Sequence, residues 1–136
     1  RGIKPLLSTF IKMSDNKNID LILFITFFIL TSVGVALMRS LPLHNKIIGF
    51  ISDTAANIGG VLVASSLFIW LKGYRTYKLR IRVILAVCFG FIVYELIQIF
   101  LPWATFDVND MLGTLLGALI AIGINLMVVV FCFNKR

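Results

Sequence analysis

Most acids in this chain sit where apolar sequence would be expected to exclude them. Six Asp and Glu occur in 136 residues, and four of them, Asp53, Glu95, Asp107 and Asp110, fall inside or beside the three later apolar runs. Carboxylates so placed can do three kinds of chemistry. A pair can act as general acid and base when its surroundings set the two affinities for protons apart. Several can hold a hard cation such as magnesium or calcium through oxygen ligands. A cluster can also bind a cationic or hydroxyl-rich group without reacting. Spacing groups these acids with polar partners: Glu95 with Gln98, Asp53 with Asn57 and Asp110 with Thr114, each one helical turn apart.

Each residue also has a purely structural use. Asp107 and Asp110 precede or open an apolar run, where a carboxylate caps orphan amides and meets the positive end of the helix dipole. Asp107 fits that local role best, and Asp110 fits both. Asp53 and Glu95 lie within their runs, so their structural use is a polar clasp between helices with Asn57 and Gln98. Nucleophiles are scarce: the one histidine, His44, is in a loop. Cys88 and Cys132 lie in apolar runs without metal-ligand spacing and read as free packing thiols. The spacing specifies no resident metal and no cofactor.

The elements that must position these residues follow from composition. Hydrophobic residues make up 60% of the chain and charged ones 14%, against about a quarter charged in a soluble domain. Apolar runs of about 20 residues cross a bilayer as helices, and four occur, at about 18–38, 47–71, 83–101 and 110–134. The reading is an all-α polytopic membrane protein, a four-helix bundle forming one domain over 18–136. Residues 1–17 are a basic segment in which Ile3, Leu6, Leu7, Phe10 and Ile11 have helical spacing, which fits either a surface amphipathic helix or a frayed terminus. No cleavage site follows the first run, so it is read as retained.

With both termini in the cytoplasm, eleven of the thirteen Lys and Arg face inward, as the positive-inside rule requires. Lys72, Arg75, Lys78, Arg80 and Arg82 crowd the loop between spans 2 and 3 and are assigned to anionic-lipid contact, with Trp70, Tyr74 and Tyr77 as interfacial aromatics. Net charge is +7, yet no soluble basic module fit for nucleic acid is present. On this orientation Asp53 lies about 10 Å and Glu95 about 9 Å from the outer ends of their helices. Asp53, Asn57, Glu95, Gln98, Asp107, Asp110 and Thr114 then form one candidate pocket near the outer leaflet. Ionisable groups in spans normally face the bundle interior.

An internal repeat supports that grouping. "DTAANIGGVL" from Asp53 aligns without gaps on "DMLGTLLGAL" from Asp110, and each follows a Leu-Pro pair. The chain reads as two hairpins, spans 1–2 and 3–4, related by an axis along the membrane normal, an arrangement in which sites lie at the repeat interface. Gly59, Gly60, Gly113 and Gly117 are assigned to close helix packing.

The order Glu95, Gln98, Pro102, "TFDVND" and then glycines at helical spacing resembles the signature of the VanZ-like membrane protein family. That pattern runs roughly E-x-x-Q, a Pro, an Arg with a following F-D, then D-x-x-x-N-x-x-G. The stretch "ELIQIFLPWATFDVNDMLGTLLGALIAIG" carries it, and "DTAANIGGVLVASSLFIWLKG" is similar to the family's preceding Asn-containing span. Two positions depart: Ala104 stands where the pattern has Arg, and Thr114 where it has Asn. The resemblance implies a bacterial cytoplasmic (inner) membrane protein, linked in the founding member to resistance against the glycopeptide teicoplanin.

Three functions are compatible with these residues. The first is a non-enzymatic envelope protein whose acidic pocket takes a lipid head group, with lipid-linked cell-wall precursors or glycopeptides as the ligands the resemblance implies. The second is a structural or assembly subunit of a larger membrane complex, with Phe24, Phe27 and Phe28 offering apolar faces to lipid or a partner. The third, with the least support, is an intramembrane metal-dependent enzyme using Asp53, Glu95 and Asp110.

Overall fold

The computed structural model describes residues 3–40, 46–103 and 105–133, and side-chain surroundings within 18–40, 50–103 and 105–131. Every backbone amide inside a bilayer needs an internal partner, and in a single apolar segment only a helix supplies it. The chain accordingly forms α1 (Ile3–Ser40), α2 (Lys46–Lys72), α3 (Tyr77–Gln98) and α4 (Val108–Val128), the last continuing into a π-helical stretch Val129–Phe133. No strand occurs among the described residues. Each helix contains a segment long and apolar enough to span a membrane: Asn18–Ser40, Phe50–Lys72, Tyr77–Gln98 and Val108–Phe131. This is a multi-pass, all-α membrane protein.

Two boundaries differ from the sequence reading. The basic segment at the N terminus is not set off as a separate surface helix, because α1 runs unbroken from Ile3 through the first span. The third span begins at Tyr77 rather than Val83, which takes Lys78, Arg80 and Arg82 out of the loop and into α3. The cause lies in the turn. Gly73, with φ of 63°, ends α2. Its amide bonds the Trp70 carbonyl at 3.3 Å, and the Tyr74 amide bonds that of Ile69 at 3.4 Å, the paired closure that a left-handed glycine permits. Thr76 is extended and α3 starts at once, so the connection is only Gly73–Thr76.

α2 is the central helix: α1, α3 and α4 all pack on it, and α3 also packs on α4. Its contact with α4 is made backbone to backbone through small residues. A Cβ added at Gly113 would lie 2.8 Å from the Thr54 carbonyl oxygen, and one at Gly117 would lie 2.9 Å from Ile58 Cα. Gly59 faces Thr31 of α1, and a Cβ added at Gly60 would lie 3.1 Å from the Phe91 ring of α3. α2 and α4 thus meet along Thr54, Asn57, Ile58 and Val61 on one side and Gly113 and Gly117 on the other, where van der Waals contact replaces a hydrophobic drive. Near the other end of the bundle Trp70 of α2 stacks on Phe24 of α1, with ring centroids 6.3 Å apart.

The distribution of side chains is inverted relative to a soluble protein. Phe28, Leu30, Leu37, Phe89, Leu119 and Met127 are exposed. The interior instead holds Asp20, Ser65, Ser66, Arg80, Glu95, Thr114 and Asn125 around a small apolar centre of Val61, Ile69, Ile84, Cys88, Ala118 and Ala121. Lipid solvates the former, and the interior must satisfy the latter.

Candidate functional site

Three consecutive turns wind α3 down beyond Gln98. The amides of Ile99, Phe100 and Leu101 bond carbonyls three residues back at 3.3, 3.0 and 3.0 Å. Pro102 carries no amide to continue the series. Phe100 and Trp103 are exposed at this end. The chain re-enters at Asp107, whose backbone is extended and whose carboxylate accepts from the Asn109 amide at 2.8 Å. Asp107, not Asp110, is therefore the N-cap of α4. Asp110 is released from capping and stands in the first turn of the helix.

Asp110 turns toward α2. It lies near Asn57 and within electrostatic reach of Asp53 and Asp107. Glu95 of α3 lies near Gln98 and within electrostatic reach of Asp110 and Asp107. Asp53 itself is exposed, so it belongs to the rim. Thr114 lies one turn below Asp110, fully buried, with its carbonyl 4.0 Å from Cys88 Sγ. Residues from α2, α3 and α4 thus converge at the end of the bundle that carries the α3–α4 connection.

The cluster is short of donors. Glu95 is 4% exposed, and its Oε2 is buried without a hydrogen-bond partner. The hydroxyls of Thr114, Thr54 and Ser52 are likewise buried and unpartnered. Burying such groups unsatisfied costs about 1–3 kcal/mol each. Among the described residues the only ion pair joins Asp20 and Arg80, so no described cation balances Asp53, Glu95, Asp107 or Asp110. Nor do any three of the described His, Cys, Asp and Glu residues come together as a metal-holding group. The arrangement suits a ligand that brings its own hydrogen-bond donors and positive charge.

A second polar group occupies the opposite end, where the α2–α3 turn lies. Arg80, assigned above to lipid contact, is instead 0% exposed. Its Nε donates to the Tyr74 carbonyl at 2.8 Å, one terminal nitrogen to Asn125 Oδ1 at 3.0 Å, and the other to Asp20 Oδ2 at 2.6 Å. Asn125 donates in turn to the Ala121 carbonyl at 2.9 Å. A guanidinium fork satisfied on three sides can be buried where a lone charge cannot. The cluster joins α1, α3, α4 and the turn. Lys72, Arg75, Lys78 and Arg82 remain exposed around it.

Sequence reasoning missed this cluster, along with Ser52 and Thr54. A signal was present, since Asp20 and Asn125 are polar residues inside apolar runs and must find interior partners. Cys88 is a free, buried thiol, while Cys132 and Ala104 lie outside the described side chains. Comparison of the chain with protein-family models, curated proteins and solved structures finds no match in any of the three.

Proposed function

We propose that this chain is a non-enzymatic, VanZ-like protein of the bacterial cytoplasmic membrane whose acidic cluster binds a donor-rich cationic head group of an envelope lipid or lipid-linked precursor. The observation that carries the reading is Glu95 Oε2, buried and unpartnered within electrostatic reach of Asp107 and Asp110. An ammonium brings three N–H donors and one positive charge, which answers both deficits. Hydroxyl groups on the same ligand would serve the orphan hydroxyls of Thr114 and Thr54. The E-L-I-Q and F-D-V-N-D stretches support the family resemblance. Ala104, in place of the pattern's Arg, fits a ligand recognised through its cation rather than a phosphate. The buried hydroxyls of Thr54 and Thr114 have no hydrogen-bond partner, hence no adjacent base to activate them, which weighs against covalent chemistry.

The positive-inside rule supports cytoplasmic termini, which turns the cluster toward the outer leaflet. Single cysteines at Arg75 and Val108, in a background lacking Cys88 and Cys132, test this in intact cells. A membrane-impermeant maleimide should label Val108→Cys alone, and labelling of Arg75→Cys alone would invert the assignment.

Native mass spectrometry from nanodiscs tests the ligand. Phosphatidylethanolamine should be retained over phosphatidylcholine, whose methylated ammonium has no N–H donor. Glu95→Gln and Asp110→Asn should each lower that preference about tenfold, the effect of one charged hydrogen bond. Equal retention of the two lipids by the unaltered protein would overturn the reading. In cells, the same variants should shift glycopeptide susceptibility without altering membrane insertion.

A further inference from the structure

α2 and α3 meet where Phe91 packs on Gly60. Two adjoining cavities lie between them. One, of about 360 Å³, is lined by Phe68, Lys72, Tyr74, Val83, Ala86 and Val87. The other, of about 430 Å³, is lined by Ala64, Phe68, Val87, Gly90, Phe91 and Tyr94. They share Phe68 and Val87, so they form one groove. Small side chains leave it open: a Cβ at Gly90 would meet nothing within 4 Å. Along α3 the lining runs from Val83 to Tyr94, about 16 Å at 1.5 Å per residue. That is about half the hydrocarbon thickness of a bilayer.

The groove is apolar along its length and charged at one end. Lys72 is the only charged residue in its lining. Arg75, Lys78 and Arg82 are exposed on the adjoining turn and first helical turns. No Asp or Glu occurs anywhere from Thr54 to Tyr94, the stretch that builds both walls. A partner helix of ordinary composition has no call for such an asymmetry. A molecule with one long chain and an anionic head does.

We infer that this groove is a binding site for an anionic glycerophospholipid of the leaflet facing the α2–α3 turn, with one acyl chain along Val83, Val87 and Gly90 and the phosphate at Lys72 and Arg75. The site is separate from the acidic cluster and does not depend on what that cluster binds. It also assigns a role to exposed basic residues that the buried Arg80 does not share.

The test is retention of phosphatidylglycerol against phosphatidylcholine by the purified full chain, released from mixed-lipid nanodiscs and read by native mass spectrometry. Phosphatidylglycerol should be preferred. Lys72→Gln should lower the preference about fivefold, the partitioning effect of one basic residue at an anionic surface. Gly90→Phe, which fills open space, should reduce retention of both lipids while leaving thermal unfolding unchanged. Equal retention of the two lipids, or no effect of Gly90→Phe, would overturn the proposal. So would a dimer that Gly90→Phe dissociates, which would make the groove a helix-docking face.

Discussion

Replacing Asp20 with Leu removes the carboxylate that meets the Arg80 guanidinium at 2.6 Å. Arg80 stays buried, still bonded to the Tyr74 carbonyl and Asn125, but with that carboxylate gone. Breaking a buried pair by removing one member costs about 3–5 kcal/mol, because a desolvated charge is left behind. Arg80→Met should cost a similar amount from the other side. The double variant Asp20→Leu/Arg80→Met removes both charges and should cost only about 1–3 kcal/mol, for the Asn125 oxygen that then lacks its donor. The predicted coupling between the two sites is therefore several kcal/mol, far above the few tenths expected of independent positions. Each single variant should raise the unfolding constant by roughly two to three and a half decades. Reversible unfolding in mixed micelles measures this, and fluorescence of Trp70 reports loss of α1 through its stack on Phe24. Additive single and double effects, or single effects below about 1 kcal/mol, would refute the reasoning.

Gly113→Ala places a methyl group 2.8 Å from the Thr54 carbonyl oxygen and should destabilise by about 1–3 kcal/mol, the usual cost of overpacking. Gly123→Ala, with nothing within 4 Å, should be neutral or up to about 1 kcal/mol stabilising through helix propensity, and the same unfolding assay separates the two. Asp107→Ala should cost about 1 kcal/mol by uncapping α4, while Asp107→Asn should cost little because the amide oxygen still accepts from Asn109. In a Cys132→Ser background Cys88 should resist N-ethylmaleimide until the bundle unfolds, and modification of the folded protein would contradict its burial between α3 and α4.

Hydropathy and charge were enough to read four spanning helices, since lipid leaves a long apolar segment no other way to pair its backbone. The glycines of α2 and α4 were legible for a related reason, because a residue without a side chain inside a span has few uses beyond close approach. The start of α3 was not. Arg80 and Arg82 look like loop residues to any count of charge, and only the closure at Gly73 starts the helix before them. Arg80 and Lys78 are the same kind of residue in the same kind of context, yet one is buried and one exposed. What separates them is the position of Asp20, 60 residues earlier, and Asn125, 45 residues later. Local sequence does not encode such a partnership. The same holds for capping: Asp107 and Asp110 both suit the start of α4, and the path of the chain after Pro102 selected the first.

The three members of the Arg80 cluster leave the ribosome far apart in time. Asp20 emerges first and lies only two residues inside the first span, close to the head-group layer where an anion is cheap to keep. Arg80, three residues into the third span, arrives with a carboxylate already waiting, and Asn125 completes the set only when the last helix follows. The counter-charge of a cation that the finished bundle buries thus precedes it along the chain.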